Sequence, residues 1–268
     1  MRSILLYANE DTDTLTRLEA ALSIASMFQG HLQCLQVTSA SEYVFVDPFG
    51  GAYPMLDVLN DIGAEEKKFQ SQIEARLGRA GASWTWINEA RDLQRPILDL
   101  MKLVDLAVVS IGSEAELSQQ TPAAARLAIR VNTPVLAVSS RGTPFDLRGP
   151  ALIAWNGSPE AARALRAAVP LISAAASVTI VEIVEGESSY RAFDAAEYLG
   201  YYGIKPEVRE QRTDGETVAD ALRRAALEIG ATYIVMGAYG KPRLQEQIFG
   251  GVTQSLSDQS PCSLLMAH

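Results

Sequence analysis

The chain has 268 residues, of which 48% are hydrophobic, 21% charged and 7% aromatic, a composition that is typical of globular proteins and excludes a disordered chain. The 32 acidic and 23 basic residues give a net charge of −9, so neither nucleic acid nor an anionic membrane surface is an expected partner. With two cysteines, no signal-peptide pattern and no apolar run of membrane-spanning length, the sequence predicts a cytoplasmic protein.

One α/β pattern occurs twice along the chain. In each copy a short apolar strand breaks into a polar turn and a helix, and four further strands alternate with helices. The strands predicted in the first copy span 3–8, 31–37, 83–87, 106–110 and 134–138, with a helix over 93–103. Those predicted in the second copy span 151–155, 177–184, 205–209, 233–237 and 261–266, with a helix over 217–229.

The order of these elements predicts the fold class. Strands that alternate with helices and stay apolar over consecutive positions belong in parallel sheets covered on both faces. Each half is therefore predicted to be a doubly wound, five-stranded α/β domain. A stretch rich in Gly, Pro and polar residues separates the halves, so we expect a first domain at 1–140, a linker at 141–150 and a second domain at 151–268.

Several aromatic and cysteine side chains have a structural and a functional interpretation. The first copy carries an aromatic insert at 41–55, which is either a lid or partner surface, or a loop that packs on its own domain; we favour the loop. Near-helical spacing favours core packing for Tyr198, Tyr201 and Tyr202. Cys34 and Cys262 lie in apolar strands and are predicted to be buried, unreactive thiols.

The glycine-rich loop after the strand at 233–237 is the strongest functional signal. Ligands of doubly wound sheets bind beyond the carboxyl ends of the strands, where the strand order reverses. A helix that begins near Gly251 would direct free N–H groups and the positive end of its dipole at an anion. By spacing alone, the loop fits a phosphate site and a plain tight connection equally well.

Gly237, Gly240 and Gly250 have the spacing Gly-x2-Gly-x9-Gly and are followed by Gly-Val-Thr. This motif, with Trp155-Asn156-Gly157-Ser158 and the closing segment 260–266, resembles the nucleotide-binding signature of the universal stress protein (UspA) family. The resemblance covers nearly the whole chain as two tandem domains. It implies strand order 3-2-1-4-5, a pseudo-twofold pair of domains joined partly through their fifth strands, and a role in stress responses, with ATP bound by some members.

The resemblance also implies which residues would contact an adenine nucleotide: ATP, or else AMP or ADP, with or without Mg²⁺. The adenine would lie near Ala154, Asn156 and Ile183. The base and ribose would be lined by Met236 and Gly237, and ribose or phosphate would meet Tyr239 and Gly240. The phosphates would be held by Gly250, Gly251, Val252 and Thr253.

Two positions depart from the family pattern. Asn156 stands where the family has Asp, but an amide can still donate and accept hydrogen bonds. Gly251 stands where a Ser or Thr is expected, which removes one phosphate donor worth about 1 kcal/mol, or up to about 3 kcal/mol if charge-assisted. We expect binding to be weakened by these changes and not abolished.

The first half lacks the motif. Ser110 and Ser113 replace the first two glycines, and Ala123-Ala124 replace the last glycine and its Ser or Thr. Acidic residues add negative charge where a triphosphate would lie; they are Glu10, Asp11, Asp13, Glu114 and Glu116. We therefore expect a degenerate first domain that binds no nucleotide.

Three functions compete. The leading hypothesis is a stress-response regulator with one nucleotide site in the second half, whose partners are the nucleotide and either a second copy of the chain or a regulatory protein. The alternative is a stress-associated scaffold without nucleotide, which would bind partners through the 41–55 insert or exposed fifth strands. An enzyme is disfavoured: we assign no general base, Walker lysine or metal carboxylates, and expect at most weak ATP hydrolysis and neither a catalytic nor a metal-binding residue.

Overall fold

A computed structural model describes residues 1–38, 44–46, 52–54, 56–89, 94–111, 124–184, 192–238 and 251–268. The first half contains β1 (Ser3–Tyr7), α1 (Thr14–Phe28), β2 (His31–Val37), β3 (Val44–Val46), β4 (Ala52–Pro54), α2 (Leu56–Arg79), β5 (Ser83–Glu89), α3 (Gln94–Met101), β6 (Leu106–Ser110), α4 (Ala124–Arg130) and β7 (Val135–Val138). The second contains β8 (Ala151–Trp155), α5 (Pro159–Ile172), β9 (Val178–Val184), α6 (Ala192–Gly200), β10 (Glu207–Arg212), α7 (Val218–Ile229), β11 (Tyr233–Gly237), α8 (Gly251–Gln259) and β12 (Ser263–Ala267).

Ten strands form one sheet in the order β10-β9-β8-β11-β12-β7-β6-β1-β2-β5. Within each half the pairing is parallel and the order is 3-2-1-4-5. The predicted fold class is therefore confirmed: the chain has two tandem doubly wound domains. In the described part of the chain, no helix combines the length and apolar character needed to cross a membrane.

The two halves meet through their fifth strands, β7 and β12, which pair antiparallel. Leu136 faces Leu265 at the centre, flanked by the pairs Ala137–Leu264 and Val135–Met266. The junction is thus symmetric about the central leucine pair, as a pseudo-twofold axis requires. All residues of both strands are buried, so the idea that exposed fifth strands offer a partner surface is wrong.

Local sequence explains where α5 and α7 of the second half begin. The Ser158 hydroxyl accepts a hydrogen bond from the Ala161 N–H at 3.1 Å, and Pro159 occupies the first helical position. Thr217 caps α7 in the same way, over a distance of 3.2 Å to the Asp220 nitrogen. A side-chain oxygen before the helix satisfies an N–H that has no intrahelical partner, which fixes the start of each helix.

The core lies on both faces of the sheet, because consecutive residues of a strand point to opposite faces. Ile4 and Leu6 pack on one face, while Leu5 and Tyr7 pack on the other. The predicted burial of both cysteines is confirmed, and burial raises the pKa of each thiol to about 12.

Two predictions from aromatic spacing have different outcomes. Core packing is wrong for Tyr201 and Tyr202, which are 78% and 54% exposed at and beyond the end of α6; Tyr198 alone packs partly against the core. Of the 41–55 insert, the structure describes only an antiparallel pair of short strands, β3 and β4. Its predicted role lies outside the described residues.

The junction supplies a test of the fold. Leu136→Ala and Leu265→Ala each truncate a side chain that is at most 1% exposed, and such truncations typically cost about 2–5 kcal/mol. We expect both variants to unfold at clearly lower urea concentration than the parent protein. Leu227→Ala, at a side chain 65% exposed in α7, is the control and should change stability by less than about 0.5 kcal/mol. Junction variants as stable as the control would contradict this account of the junction.

Candidate functional site

The strand order of each half reverses between its first and fourth strands, so that these two strands separate at the carboxyl edge of the sheet. The ladder between β8 and β11 ends at the pair Ile153–Val235. The last residues of the two strands, Trp155 and Gly237, pair only with their outer neighbours in β9 and β12. We call the space between them the second crevice, and the matching space between β1 and β6 the first crevice. Such a reversal of strand order is where doubly wound folds bind ligands.

Strand register defines which residues of the two crevices are equivalent. Leu6 pairs with Val108 in the first half, as Ile153 pairs with Val235 in the second. Counting along the chain from these pairs matches the positions that border the crevices. The matched positions, first half before second, are Tyr7 with Ala154, Asn9 with Asn156, Asp13 with Glu160, Arg17 with Ala164 and Ser110 with Gly237.

The first crevice is filled by the side chain of Arg17, which is 0% exposed. Its Nε donates to the Tyr7 carbonyl at 2.9 Å, and its Nη1 donates to the Ser110 hydroxyl. Nη1 and Nη2 also donate to the two carboxylate oxygens of Asp11, at 2.9 and 2.8 Å. A buried guanidinium is tolerated only when it is paired and hydrogen-bonded, and every nitrogen of this one has a partner.

Two more side chains close the first crevice. Asn9 donates from Nδ2 to the Val37 carbonyl and accepts the Val37 N–H on Oδ1, both at 2.7 Å. This amide therefore extends β1 by one peptide-like pair and satisfies the end of β2. The Tyr7 ring is buried, with the Arg17 guanidinium carbon 5.4 Å from its centroid. Burial raises the pKa of the Tyr7 phenol far above its usual range.

Smaller or freer side chains border the second crevice. Half-buried Ala154 stands in place of the tyrosine, and Ala164 in place of the arginine. Asn156 is exposed, and its Oδ1 accepts the Ser158 N–H at 3.1 Å within its own turn. The equivalent Asn9 instead reaches across to the second strand of its half. The second crevice therefore lacks each of the three side chains that close the first.

Gly237 has a packing role that its motif does not reveal. A Cβ at this position would lie 2.6 Å from the Ala161 nitrogen and 2.8 Å from the Glu160 Cβ, closer than atoms can approach. The absence of a side chain therefore lets the first turn of α5 rest directly on the end of β11. The equivalent Ser110 instead accepts a hydrogen bond from Arg17, whose side chain lies between the strand and the helix.

The remaining predicted residues have different exposures. Half-buried Ile183 lies near the end of β9, whereas the Met236 side chain is 4% exposed and belongs to the core. Gly251, the first residue of α8, is exposed, Val252 is half-buried and Thr253 is buried. Tyr239, Gly240 and Gly250 lie outside the described residues.

Four functional candidates escaped the sequence interpretation. Arg17 and Tyr7, which fill the first crevice, would have emerged from aligning the two halves position by position. Trp155 ends β8 and Glu160 lies in the first turn of α5, and the Trp155 Nε1 and Glu160 Oε2 atoms are buried without a hydrogen-bond partner among the described residues. Sequence carries no signal for an unsatisfied atom. Among the described residues, no group of three or more His, Cys, Asp or Glu is placed to hold a metal ion.

Solved structures that this chain resembles include universal stress proteins and a protein of unknown function. A universal stress protein from Archaeoglobus fulgidus DSM 4304 is 17% identical, and the alignment covers 99% of this chain and 97% of that one with a TM-score of 0.76. A functionally unknown protein from Pseudomonas aeruginosa PAO1 is 18% identical, with coverages of 100% and 92% and a TM-score of 0.61. A universal stress protein in complex with cAMP is 21% identical over 45% of this chain and 96% of its own, with a TM-score of 0.39.

Sequence comparison gives the family. A search of curated proteins returns no significant match, but the sequence model of the universal stress protein family matches residues 149–268. This segment contains every predicted contact residue and the whole of the second crevice. The resemblance seen in the glycine motif is thus confirmed: residues 149–268 belong to the universal stress protein family, and the first half of the chain repeats their fold.

Proposed function

We propose that the chain is a stress-response regulator that binds one adenine nucleotide in the second crevice and is not a dedicated catalyst. The observation that carries the proposal is the contrast between equivalent crevices. The first is closed by Arg17, Asn9 and Tyr7, and the second has Ala164, a displaced Asn156 and Ala154 at those positions. A fold that closes one of two equivalent crevices with its own side chains leaves the other available to a ligand.

The base region of the second crevice fits a flat, polar-edged ring. Ala154 leaves the space that the Tyr7 ring occupies in the first half. The exposed Asn156 amide can donate and accept hydrogen bonds, which matches the alternating donors and acceptors of an adenine edge. Half-buried Ile183 supplies an apolar contact. These three residues would hold the base.

The phosphate region fits the beginning of α8. The helix runs over nine residues, Gly251–Gln259, so its first N–H groups point away from the helix body and its dipole favours an anion. A Cβ at Gly251 would meet no atom of the described residues within 4 Å, so this position can carry a side chain. When bound, the nucleotide would supply the phosphate charge that these N–H groups neutralise.

The domain assignment follows from the same contrast. We propose a degenerate domain at 1–140, a linker at 141–150 and the nucleotide-binding domain at 151–268, in a cytoplasmic protein. In the first crevice, an anion would have to displace Arg17 from Asp11, and the released carboxylate would then repel it. One nucleotide per chain is therefore the expected stoichiometry.

An exposed aromatic surface favours a protein partner as well. Phe193, Tyr201 and Tyr202, on and just beyond α6, are 66%, 78% and 54% exposed. Large aromatic side chains are enriched at protein interfaces. This surface supports the second candidate function, a scaffold, and is equally compatible with a regulator whose partner is a protein.

Nucleotide binding predicts a thermal shift that a single side chain abolishes. ATP with Mg²⁺ at a hundredfold excess over Kd should stabilise the protein by about 2.7 kcal/mol and raise its Tm by several degrees. Ala154→Tyr, which installs the side chain of the first crevice, should remove the shift because the ring fills the base region. Ala176→Tyr, at an exposed alanine between α5 and β9, is the control and should retain it. A parent protein whose Tm is unchanged by ATP, ADP and AMP would overturn the proposed function.

Restoring the missing phosphate donor should tighten binding. Gly251→Ser adds a hydroxyl at a position that can carry a side chain, and a hydrogen bond to phosphate is worth roughly fivefold to a hundredfold in affinity. Gly251→Ala, which adds the Cβ alone, should leave Kd within about twofold of the parent. Titration calorimetry with ATP measures both variants. Equal affinities of the serine and alanine variants would place the phosphates away from α8.

A further inference from the structure

We propose that the outer edge of β5 (Ser83–Glu89) pairs antiparallel with β5 of a second copy of the chain, so that two ten-stranded sheets continue into one. β5 and β10 are the outermost strands of the sheet, and β2 separates β5 from the strands that border the first crevice. Such pairing uses a surface outside both crevices and requires no nucleotide.

Alternate residues of β5 direct their backbone groups away from the sheet. β5 pairs in parallel with β2, and the Thr38 N–H donates to the Glu89 carbonyl at 2.8 Å, so the Glu89 backbone faces inward. Backbone direction alternates along a strand, and Trp84, Trp86 and Asn88 therefore direct their N–H and C=O groups outward. Among the described residues no strand pairs with this side of β5, because β3 and β4 pair with each other.

The two outermost strands differ in charge. Four of the six residues of β10 are charged: Glu207, Arg209, Glu210 and Arg212. Charged side chains on an edge strand are a common means of preventing its pairing with another chain. β5 has one charged residue among seven, Glu89, and contains the half-buried Trp84 and Trp86. β5 is thus the edge that lacks this protection.

One antiparallel register between two copies of β5 pairs every outward residue. With Trp86 opposite Trp86 of the second copy, Trp84 lies opposite Asn88 and Asn88 opposite Trp84. Each of these three pairs exchanges two hydrogen bonds, so the register forms about six bonds between the copies. Its twofold axis passes through the Trp86 pair and gives a closed dimer instead of an open filament.

The side chains are compatible with this register. On one face the two Trp86 indoles would lie side by side, and aromatic cross-strand pairs stabilise antiparallel strands. The Trp86 Nε1 already donates to Gln36 Oε1 at 3.2 Å and to Asn88 Oδ1 at 2.9 Å, which orients the ring. On the other face Glu89 would lie opposite Ser83 of the second copy, so no like charges meet within the strand pair.

The sheet already contains a junction of this kind. β7 and β12 pair antiparallel around Leu136 and Leu265 and join the two halves. β7 and β5 are the two edges of the five strands of the first half. A second antiparallel junction at β5 would therefore continue the same sheet across the other edge of this half.

Sedimentation velocity on the full chain tests the proposal. The parent protein should have twice the mass of the 29.0 kDa chain at high concentration and dissociate on dilution, as mass action requires. Asn88→Pro removes an outward N–H, where an edge strand tolerates proline. It should raise the dimer Kd about tenfold to a hundredfold, because each dimer loses two hydrogen bonds. Asn88→Ala, which removes the side chain but keeps the N–H, is the matched control and should keep a Kd close to that of the parent.

Hydrogen exchange locates the interface. The outward amides of Trp84, Trp86 and Asn88 should exchange more slowly in the dimer than in the diluted, monomeric protein. Tyr201→Ala, at a side chain that is 78% exposed beyond α6, is the control for the exposed aromatic surface. It should change neither the dimer Kd nor the exchange of these three amides.

A parent protein that remains monomeric at every concentration would overturn the proposal. So would equal Kd values for the folded proline and alanine variants, or a dimer in which the three amides of β5 exchange as fast as in the monomer. Circular dichroism and the Tm establish that Asn88→Pro is folded. Should that variant not fold, the exchange of the three amides in the parent decides the matter alone.

Discussion

The antiparallel pairing of β7 and β12 is the constraint on which the rest of the architecture depends. Within the ten-stranded sheet each half is parallel throughout, so the direction of this one pair decides that the strands of the two halves run in opposite directions. The carboxyl ends, and with them the two crevices, therefore lie at opposite edges of the sheet. The side chains that close the first crevice have smaller or differently bonded counterparts in the second: Arg17 is matched by Ala164, and Tyr7 by Ala154.

Arg17 closes the first crevice through a network of hydrogen bonds and one ion pair. Burying a guanidinium costs several kcal/mol in desolvation, and paired charges repay this only with good geometry and further hydrogen bonds. Asp11 supplies the opposite charge, the strand ends supply the Tyr7 carbonyl and the Ser110 hydroxyl, and all three nitrogens are used. The network consists of the chain's own side chains and carbonyls, so this crevice is closed without a ligand. Stability supplied by a ligand to the second crevice would instead vary with ligand concentration, which is the property that a regulator needs.

Much of the fold could be predicted because its determinants are local in sequence. Continuous apolar runs identify parallel strands, and the Ser158-Pro159 pair marks the start of α5. The candidate site was predictable only where a motif recorded it. Arg17 was missed since periodicity treats a charged residue as a solvated helix position, whereas its burial depends on partners in β1 and β6. Tyr201 was assigned to the core for the converse reason: spacing identifies a helix face, but the packing of the whole domain decides whether anything covers it.

The residue at the end of the fourth strand and the helix residue that faces it form a pair in each half. The pair is Gly237 and Ala164 in the second half, and Ser110 and Arg17 in the first. A residue without Cβ at the end of the fourth strand lets the first turn of the following helix, here α5, rest directly on the strand. A serine at that position holds the space open, and the long side chain of an arginine from the helix then fills it and bonds the serine hydroxyl. Serine opposite alanine would leave a gap and a hydroxyl without the arginine donor, and glycine opposite arginine would remove one hydrogen-bond acceptor of the guanidinium. Each residue is therefore intelligible only with its counterpart across the strand–helix contact, which is why the state of a crevice is a property of the pair and not of the glycine motif alone.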